Sequence, residues 1–407
     1  MNNYEHRKST VTLKIKRSDG TPLKNTEVVV RQTKHKFLFG CAEFSVVPFA
    51  NNELQGKEKE KSEIIFEKFL DLFNFATLPF YWARFEPVKG KPDTLRLKNA
   101  AKWLISKGCT VKGHPLCWHT LTAPWLLEMN NQEILAAQLE RIRREVSEYA
   151  GLIDIWDVIN EVVIMPIFNK YDNGITRICK ELGRIRLVRE VFAVAREANP
   201  RGIFLINDFN TSVAYEILIE GLLEAGVRID AIGIQSHMHQ GYWGVEKTHE
   251  ILERFSRFNL PIHFTETTII SGNLMPPEIE DLNDYKVEEW PSTPEGEERQ
   301  AMEAMLHYKT LFAHPKVEAI TWWNFVDGEW LNAPSGFITK DGRIKPIYYE
   351  LYKLIKGEWW TEQQYLMTDE QGSVKVSGYM GDYEISFSNK TTTFVLDKTN
   401  ELIEITF

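Results

Sequence analysis

Two glutamates stand where chemistry could be done. Glu161 follows the run from Asp154 to Asn160, and Glu266 follows the run from Pro261 to Thr265. Each run is rich in the bulky and β-branched residues of a buried strand. A carboxylate at such a position is solvated, paired or held ready for reaction, because burying it bare is costly. A single example is more simply read as a salt-bridged or solvated strand end. Two of them, with Asn160 and His237 at strand ends beside them, favour a shared task. Paired carboxyls suit hydrolysis of a glycosidic bond: one protonates the leaving oxygen, and the other attacks the anomeric carbon or activates water. Carboxyls about 5–5.5 Å apart would give the retaining reaction.

Such a pair requires strands that end at one rim. The middle of the chain alternates short apolar runs, at 37–44, 75–80, 110–117, 153–160, 202–208, 231–237, 261–267 and 319–325, with amphipathic stretches. The latter lie near 57–73, 96–107, 132–149, 176–198, 213–225, 246–258, 296–313 and 346–356. Eight strand–helix pairs predict an α/β fold, a (β/α)8 TIM barrel with its functional groups after the strands. An open doubly wound sheet competes, but no Gly-x-Gly-x-x-Gly follows a strand. The predicted strand ends are polar in succession: His114, Trp118 and His119, then Asn160 and Glu161, then Asn207 and Asp208, then Gln235 and His237, then Glu266, then Trp323. The long segment 269–293 reads as a lid or subsite wall.

Residues 1–36 alternate through Val11, Leu13 and Ile15, turn near Asp19 and Gly20, and resume at Val28 to Val30, a β-hairpin pattern. Residues 361–407 alternate likewise through Val374, Val376, Tyr383, Ile385, Phe394 and Leu396. Neither end has strands enough for its own sheet, so together they predict one small accessory β-sandwich flanking a barrel at 37–360. With no row of exposed aromatics evident, this module reads as a brace.

A chain of 407 residues suits one large barrel plus such a module. A net charge of -9 disfavours nucleic acid and anionic membranes as partners and favours a neutral ligand. Twelve tryptophans suggest flat, ring-lined surfaces, although many of them will simply be core. Cys41, Cys109, Cys117 and Cys179 have no zinc-like or paired spacing and read as reduced thiols. No apolar run reaches the length of about 18 residues expected of a membrane span. The first residues lack the apolar core of a signal peptide, so the chain as written is expected in the cytoplasm, or secreted if a leader was removed. No cofactor is called for, and no motif speaks to oligomeric state.

In order along the chain stand Gly113 to His119, Trp156 to Glu161, Asn207 to Asn210, Gln235 to His237, and Thr265 with Glu266. Together these motifs resemble glycoside hydrolase family 10, the β-1,4-xylanase family, over most of residues 37–356. The resemblance implies that Glu161 is the general acid/base and Glu266 the nucleophile. It implies that Asn160 binds the sugar 2-hydroxyl, that His237 holds the nucleophile, and that Gln235 lies near the acid/base. His114, Trp118, Asn207, Trp82, Trp323 and Trp330 then match sugar contacts, the last two as a stacking wall. His119 is read instead as a hydrogen-bonded structural residue.

Two departures stand out. The family's Glu-Asn-x-x-Lys-Trp run, which grips an upstream sugar, is here Thr77-Leu78-Pro79-Phe80-Tyr81-Trp82, followed by Glu86-Pro87. The acid usually found two places after the nucleophile is Thr268. The leading expectation is a retaining hydrolase of β-1,4-xylan or xylo-oligosaccharides. Alternatives are a β-glycosidase of the same barrel for a short or decorated plant glycoside with a less polar upstream group, and a non-catalytic glycan-binding barrel. A metal-dependent hydrolase built on His114, His119, His237 and His239 is a further competitor, although no third converging ligand is evident.

Overall fold

The computed structural model describes residues 4–407. The first three residues of the 1–36 segment therefore lie outside the described chain. Strands β1 (Lys8–Lys16) and β2 (Glu27–His35) come first. There follow β3 (Leu38–Ala42), β4 (Phe75–Pro79), β5 (Thr110–His114), β6 (Ile155–Asn160), β7 (Ile203–Asp208), β8 (Ala231–Met238), β9 (Ile262–Ile269) and β10 (Val317–Trp323). These eight form a closed barrel in which β10 returns to β3. Each lies within two residues of its expected start, and the fold is the (β/α)8 TIM barrel.

The buried runs explain the closure. Every residue of β6 and of β9 is buried, as expected of strands covered on both faces. Helices separate the strands, among them Gly56–Leu72, Thr94–Ser106, Asn131–Glu148 and Pro294–Ala313. Asn130 and Glu133 form a reciprocal capping box at the start of the third of these. The single helix expected at 176–198 is instead two, Gly174–Leu182 and Arg184–Ala198. They break at Gly183, whose φ of 78° is open to glycine at little cost. Strand β5 stops at His114 rather than Cys117, because Pro115 has no N–H for the ladder. Leu116 and Cys117 still donate to the carbonyls of Asp157 and Val158.

A separate unit contains Met1–Leu38 and Tyr349–Phe407, so most of the helix Pro346–Lys353 groups with it. Its later strands are β11 (Gln364–Met367), β12 (Ser373–Tyr379), β13 (Gly381–Phe387), β14 (Lys390–Leu396) and β15 (Leu402–Thr406). The hairpin expected at the N-terminus does not form. Strand β1 lies between β12 and β15, while β2 lies between β11 and β13 in a second sheet. Pairing side by side would have left both apolar faces on one surface. In separate sheets, Val11, Leu13 and Ile15 share a core with Val28, Val30, Val376, Ile385 and Leu396.

The layer between the barrel and its helices leaves no room at Gly113. A Cβ there would lie 2.1 Å from the ring of Trp156, which is itself packed edge-on against Phe80 and Tyr149. Gly113→Ala should therefore lower stability by about 1–3 kcal/mol, the usual range for overpacking. Denaturant unfolding measures this, and an unchanged midpoint would mean that the tryptophan yields freely.

Candidate active site

Register places the polar side chains at the C-terminal rim of the barrel. Asn160 pairs with Asn207 across β6 and β7, Gln235 with Glu266 and His237 with Thr268 across β8 and β9. The ladder shifts between Asp157 and Ile159, and again between Ile234 and Gln235. Such irregularities re-aim side chains that strict alternation would send outward. Just beyond β6, Glu161 takes a left-handed backbone with φ of 56°. For a residue with a side chain this costs on the order of 1 kcal/mol. It is held there by an N–H donated to the Asn207 carbonyl at 2.8 Å.

Three amides connect the two glutamates. Gln235 Nε2 donates to Glu161 Oε1 at 3.1 Å and to Asn160 Oδ1 at 3.2 Å. Asn207 Nδ2 donates to the same Asn160 oxygen at 2.8 Å and to Glu266 Oε1 at 2.9 Å. Both hydrogens of each donor are thereby used. The Asn160 oxygen accepts twice, which leaves its own NH2 without an acceptor among the described residues and free for a ligand hydroxyl.

The two carboxyls have opposite surroundings. Burial, and then the charge on Glu266, push Glu161 up to about 8, against hydrogen bonds from Trp118 and Gln235 that pull it down. The Trp118 indole donates to Glu161 Oε2 at 2.8 Å. Burial would also raise Glu266, but His114, His237 and Lys112 outweigh it and hold the carboxyl below its usual range. His237 Nε2 lies 3.0 Å from Glu266 Oε2, and His114 Nε2 lies 3.9 Å from Oε1. Behind His114, the buried Asp157 accepts from His114 Nδ1 at 2.8 Å and from Lys112 Nζ at 2.7 Å. A proton-holding group thus faces an ionised one, the division of labour that acid-assisted displacement requires.

An aromatic wall surrounds the pair. Ala42, Tyr81 and Trp323 form a cluster with Phe44, Trp118 and Trp330 against it. Trp323 meets the rings of His114 at 5.3 Å and Phe44 at 5.6 Å, and Trp330 lies 4.6 Å from His237. Of the residues expected at the site, Glu161, Glu266, Asn160, Gln235, His237, His114, Trp118, Trp323 and Trp330 are brought together. Two expectations are corrected. Trp82 is buried away from the pair, donating to Glu86 at 3.1 Å beside Trp125 and beneath the Arg141 guanidinium. Its neighbour Tyr81 faces the site in its place, near His114 and Trp118. Asn207 is fully buried, and besides its two donated bonds it accepts from Thr265 at 2.5 Å, so it positions Glu266 and cannot touch a sugar.

Other participants were missed. Lys112 is a buried cation in an apolar strand, two residues before His114 and on the same face; its charge amid Val111 and Gly113 was the signal. Asp157 and Asn160 both reach the interior although three residues apart, because of the shift in β6. Asp208 is buried and pushed up to about 7, accepting from the N–H groups of Val163 and Asn210 and so bracing the turn around Glu161. His119, expected to be a hydrogen-bonded structural residue, meets Phe168 edge-on at 4.5 Å, its Nδ1 has no hydrogen-bond partner among the described residues, and burial holds it down to about 4. The loop at 269–293 is anchored through Trp290, Met275 and Ile270 and by Lys170 bonded to Asp281 and Asp284. Among the described residues, no three His, Cys, Asp or Glu side chains group as ligands for an ion.

The model of glycosyl hydrolase family 10 matches residues 44–353. Endo-1,4-beta-xylanase 2 of Arabidopsis thaliana is 23% identical over 98% of this chain, which covers 34% of that protein. Anti-sigma-I factor RsgI6 of Acetivibrio thermocellus is 25% identical over 94% of this chain, which covers 45% of that protein. The chain therefore spans a third to a half of the length of these relatives. A solved structure described as GH10 from Paenibacillus barcinonensis superposes with a TM-score of 0.64 at 21% identity, covering 81% of this chain and 97% of that one. At that identity the likeness is one of fold.

Proposed function

The chain belongs to glycosyl hydrolase family 10, and on that footing we propose that it is a retaining hydrolase of β-1,4-xylan or xylo-oligosaccharides. The observation that carries this reading is the opposed state of the two glutamates on one bridge of amides. Glu266, ionised, attacks the anomeric carbon while Glu161, protonated, donates to the departing oxygen. The free NH2 of Asn160 binds the sugar 2-hydroxyl, a contact that tightens as the ring flattens. Once Glu266 is esterified its charge is gone. One of the three influences raising Glu161, with burial and Asp208 the others, then disappears, so Glu161 releases its proton and activates water for the second step.

A second reading rests on the wall of Phe44, Tyr81 and Trp323. A surface of rings stacks on a sugar face or an apolar group but makes no charge-assisted grip on hydroxyls. It favours a shorter or decorated glycoside whose upstream part is less polar than xylan.

Glu161→Ala should lose about 10²–10⁴-fold in kcat on a natural xylan linkage, the worth of a general acid. It should lose far less on an aryl β-xyloside with a good leaving group, and azide should restore turnover. Glu266→Ala should be inactive and should take no covalent label from a 2-fluoro glycoside. The pH profile of kcat/KM should fall on the alkaline side as Glu161, pushed up to about 8, loses its proton. It should fall on the acid side only below the ordinary carboxylate range, where Glu266 gains one. Equal residual rates in the parent and both variants would defeat the hydrolase reading. To separate the two substrates, kcat/KM for an aryl β-xyloside can be set against the aryl β-xylobioside. A gain of less than about tenfold from the second xylose, roughly one hydrogen bond, supports the apolar upstream site. A gain of a hundredfold or more restores the xylan backbone.

A further inference from the structure

We propose that Thr268 and His239 are positioning residues that together replace a carboxylate behind His237 and keep it an uncharged Nε2–H donor to the nucleophile; this rests on the reading of Glu266 as that nucleophile. Thr268 Oγ1 lies between two imidazoles, 3.2 Å from His237 Nδ1 and 3.3 Å from His239 Nδ1. His237 Nε2 then meets Glu266 Oε2 at 3.0 Å. The groups therefore form one line: His239, Thr268, His237, Glu266.

Only one set of proton positions satisfies this line. A carboxylate only accepts, so His237 Nε2 carries a hydrogen. His239 is fully buried beside Trp290 and Trp330, and burial holds it neutral. It therefore has a single N–H. Its Nε2 has no hydrogen-bond partner, and an N–H stranded there would forfeit a donor, whereas a bare lone pair loses less. The hydrogen accordingly sits on Nδ1 and is donated to Thr268. The threonine hydroxyl, having accepted, donates onward to His237 Nδ1. His237 is thus an acceptor at one nitrogen and a donor at the other, which is the neutral ring in a single tautomer.

The charged and titratable groups facing this line are few. Glu266 on β9 accepts at one end. His114 on β5, backed by Asp157 and Lys112, faces the other oxygen of Glu266. Trp323 and Trp330 cover His237 without charge. A carboxylate at position 268 would hold a second proton on His237 and set an imidazolium against the nucleophile. The hydroxyl instead orients the ring while adding no charge, and the remaining support of Glu266 is left to Lys112 and His114.

The test is the imidazole nitrogen spectrum of the full chain labelled with ¹⁵N-histidine, at pH 7 and without substrate. His237 should show a protonated Nε2 and an unprotonated, hydrogen-bonded Nδ1. Thr268→Ser should preserve that pattern, and Thr268→Val should shift the Nδ1 resonance or populate the other tautomer. In parallel, kcat/KM on an aryl β-xyloside should fall about tenfold in Thr268→Val, the scale of one misdirected hydrogen bond to a charged group, with Thr268→Ser within about twofold. Thr268→Asp should move the acid limb of the profile to lower pH, because an imidazolium keeps Glu266 ionised longer. An imidazolium or an Nδ1–H tautomer in the parent overturns the proposal, as does a Thr268→Val spectrum identical to the parent's. A parent inactive on every glycoside would sink the hydrolase reading alone, since the nitrogen spectrum reads the line without turnover.

Discussion

Two carboxyls held close together in a poorly solvated cleft cannot both be charged without large cost. The rest of the site follows from how this barrel settles that conflict. The groups that favour an ionised carboxyl gather on one side only. Lys112 and His114 rise from β5, His237 donates from β8, and all of them act on Glu266. The other side offers Glu161 an indole N–H, an amide and dense packing, none of which compensates a full charge. The proton therefore belongs to Glu161. The amides of Asn160, Asn207 and Gln235 hold both groups in place, and the bond from Gln235 lowers Glu161 by less than burial and Glu266 raise it.

This asymmetry depends on the closed barrel. A cation buried beside Glu266 must itself be neutralised, and Asp157, on the strand next to Lys112, does so at 2.7 Å. Strand closure brings β5, β6, β8 and β9 to one rim, so groups more than 150 residues apart share a few ångströms. On the opposite face, the layer between strands and helices is filled tightly enough that Gly113 must lack a side chain for Trp156 to fit. The positions of Lys112 and His114 on either side of that glycine are thereby set by packing and not by the chemistry alone.

The barrel was legible because its strands are short apolar runs ending in polar residues, and both glutamates stood out as carboxylates where an apolar residue would have been cheaper. What escaped was whatever breaks strict alternation. The shift in β6 turns Asp157 and Asn160 to the same interior, which a period of two forbids. Trp82 looked like a sugar contact because tryptophan often is, but its indole found Glu86 and the Arg141 guanidinium, and Tyr81 took the cleft. The terminal strands were read as a hairpin because local alternation cannot say whether two strands pair edge to edge or face one another. Thr268 was recognised as a departure, but its second partner, His239, becomes visible only once β8 and β9 are in register.

The most direct test is the titration of Glu161, followed through its carboxyl ¹³C resonance in the unliganded protein and in Glu266→Gln. In the parent, Glu161 should titrate near 8. In the variant, loss of the neighbouring negative charge should lower that value, while burial keeps it above the usual carboxylate range. A Glu161 that titrates in the ordinary carboxylate range in the parent, or that is indifferent to the charge at position 266, would contradict the division of roles between the two acids.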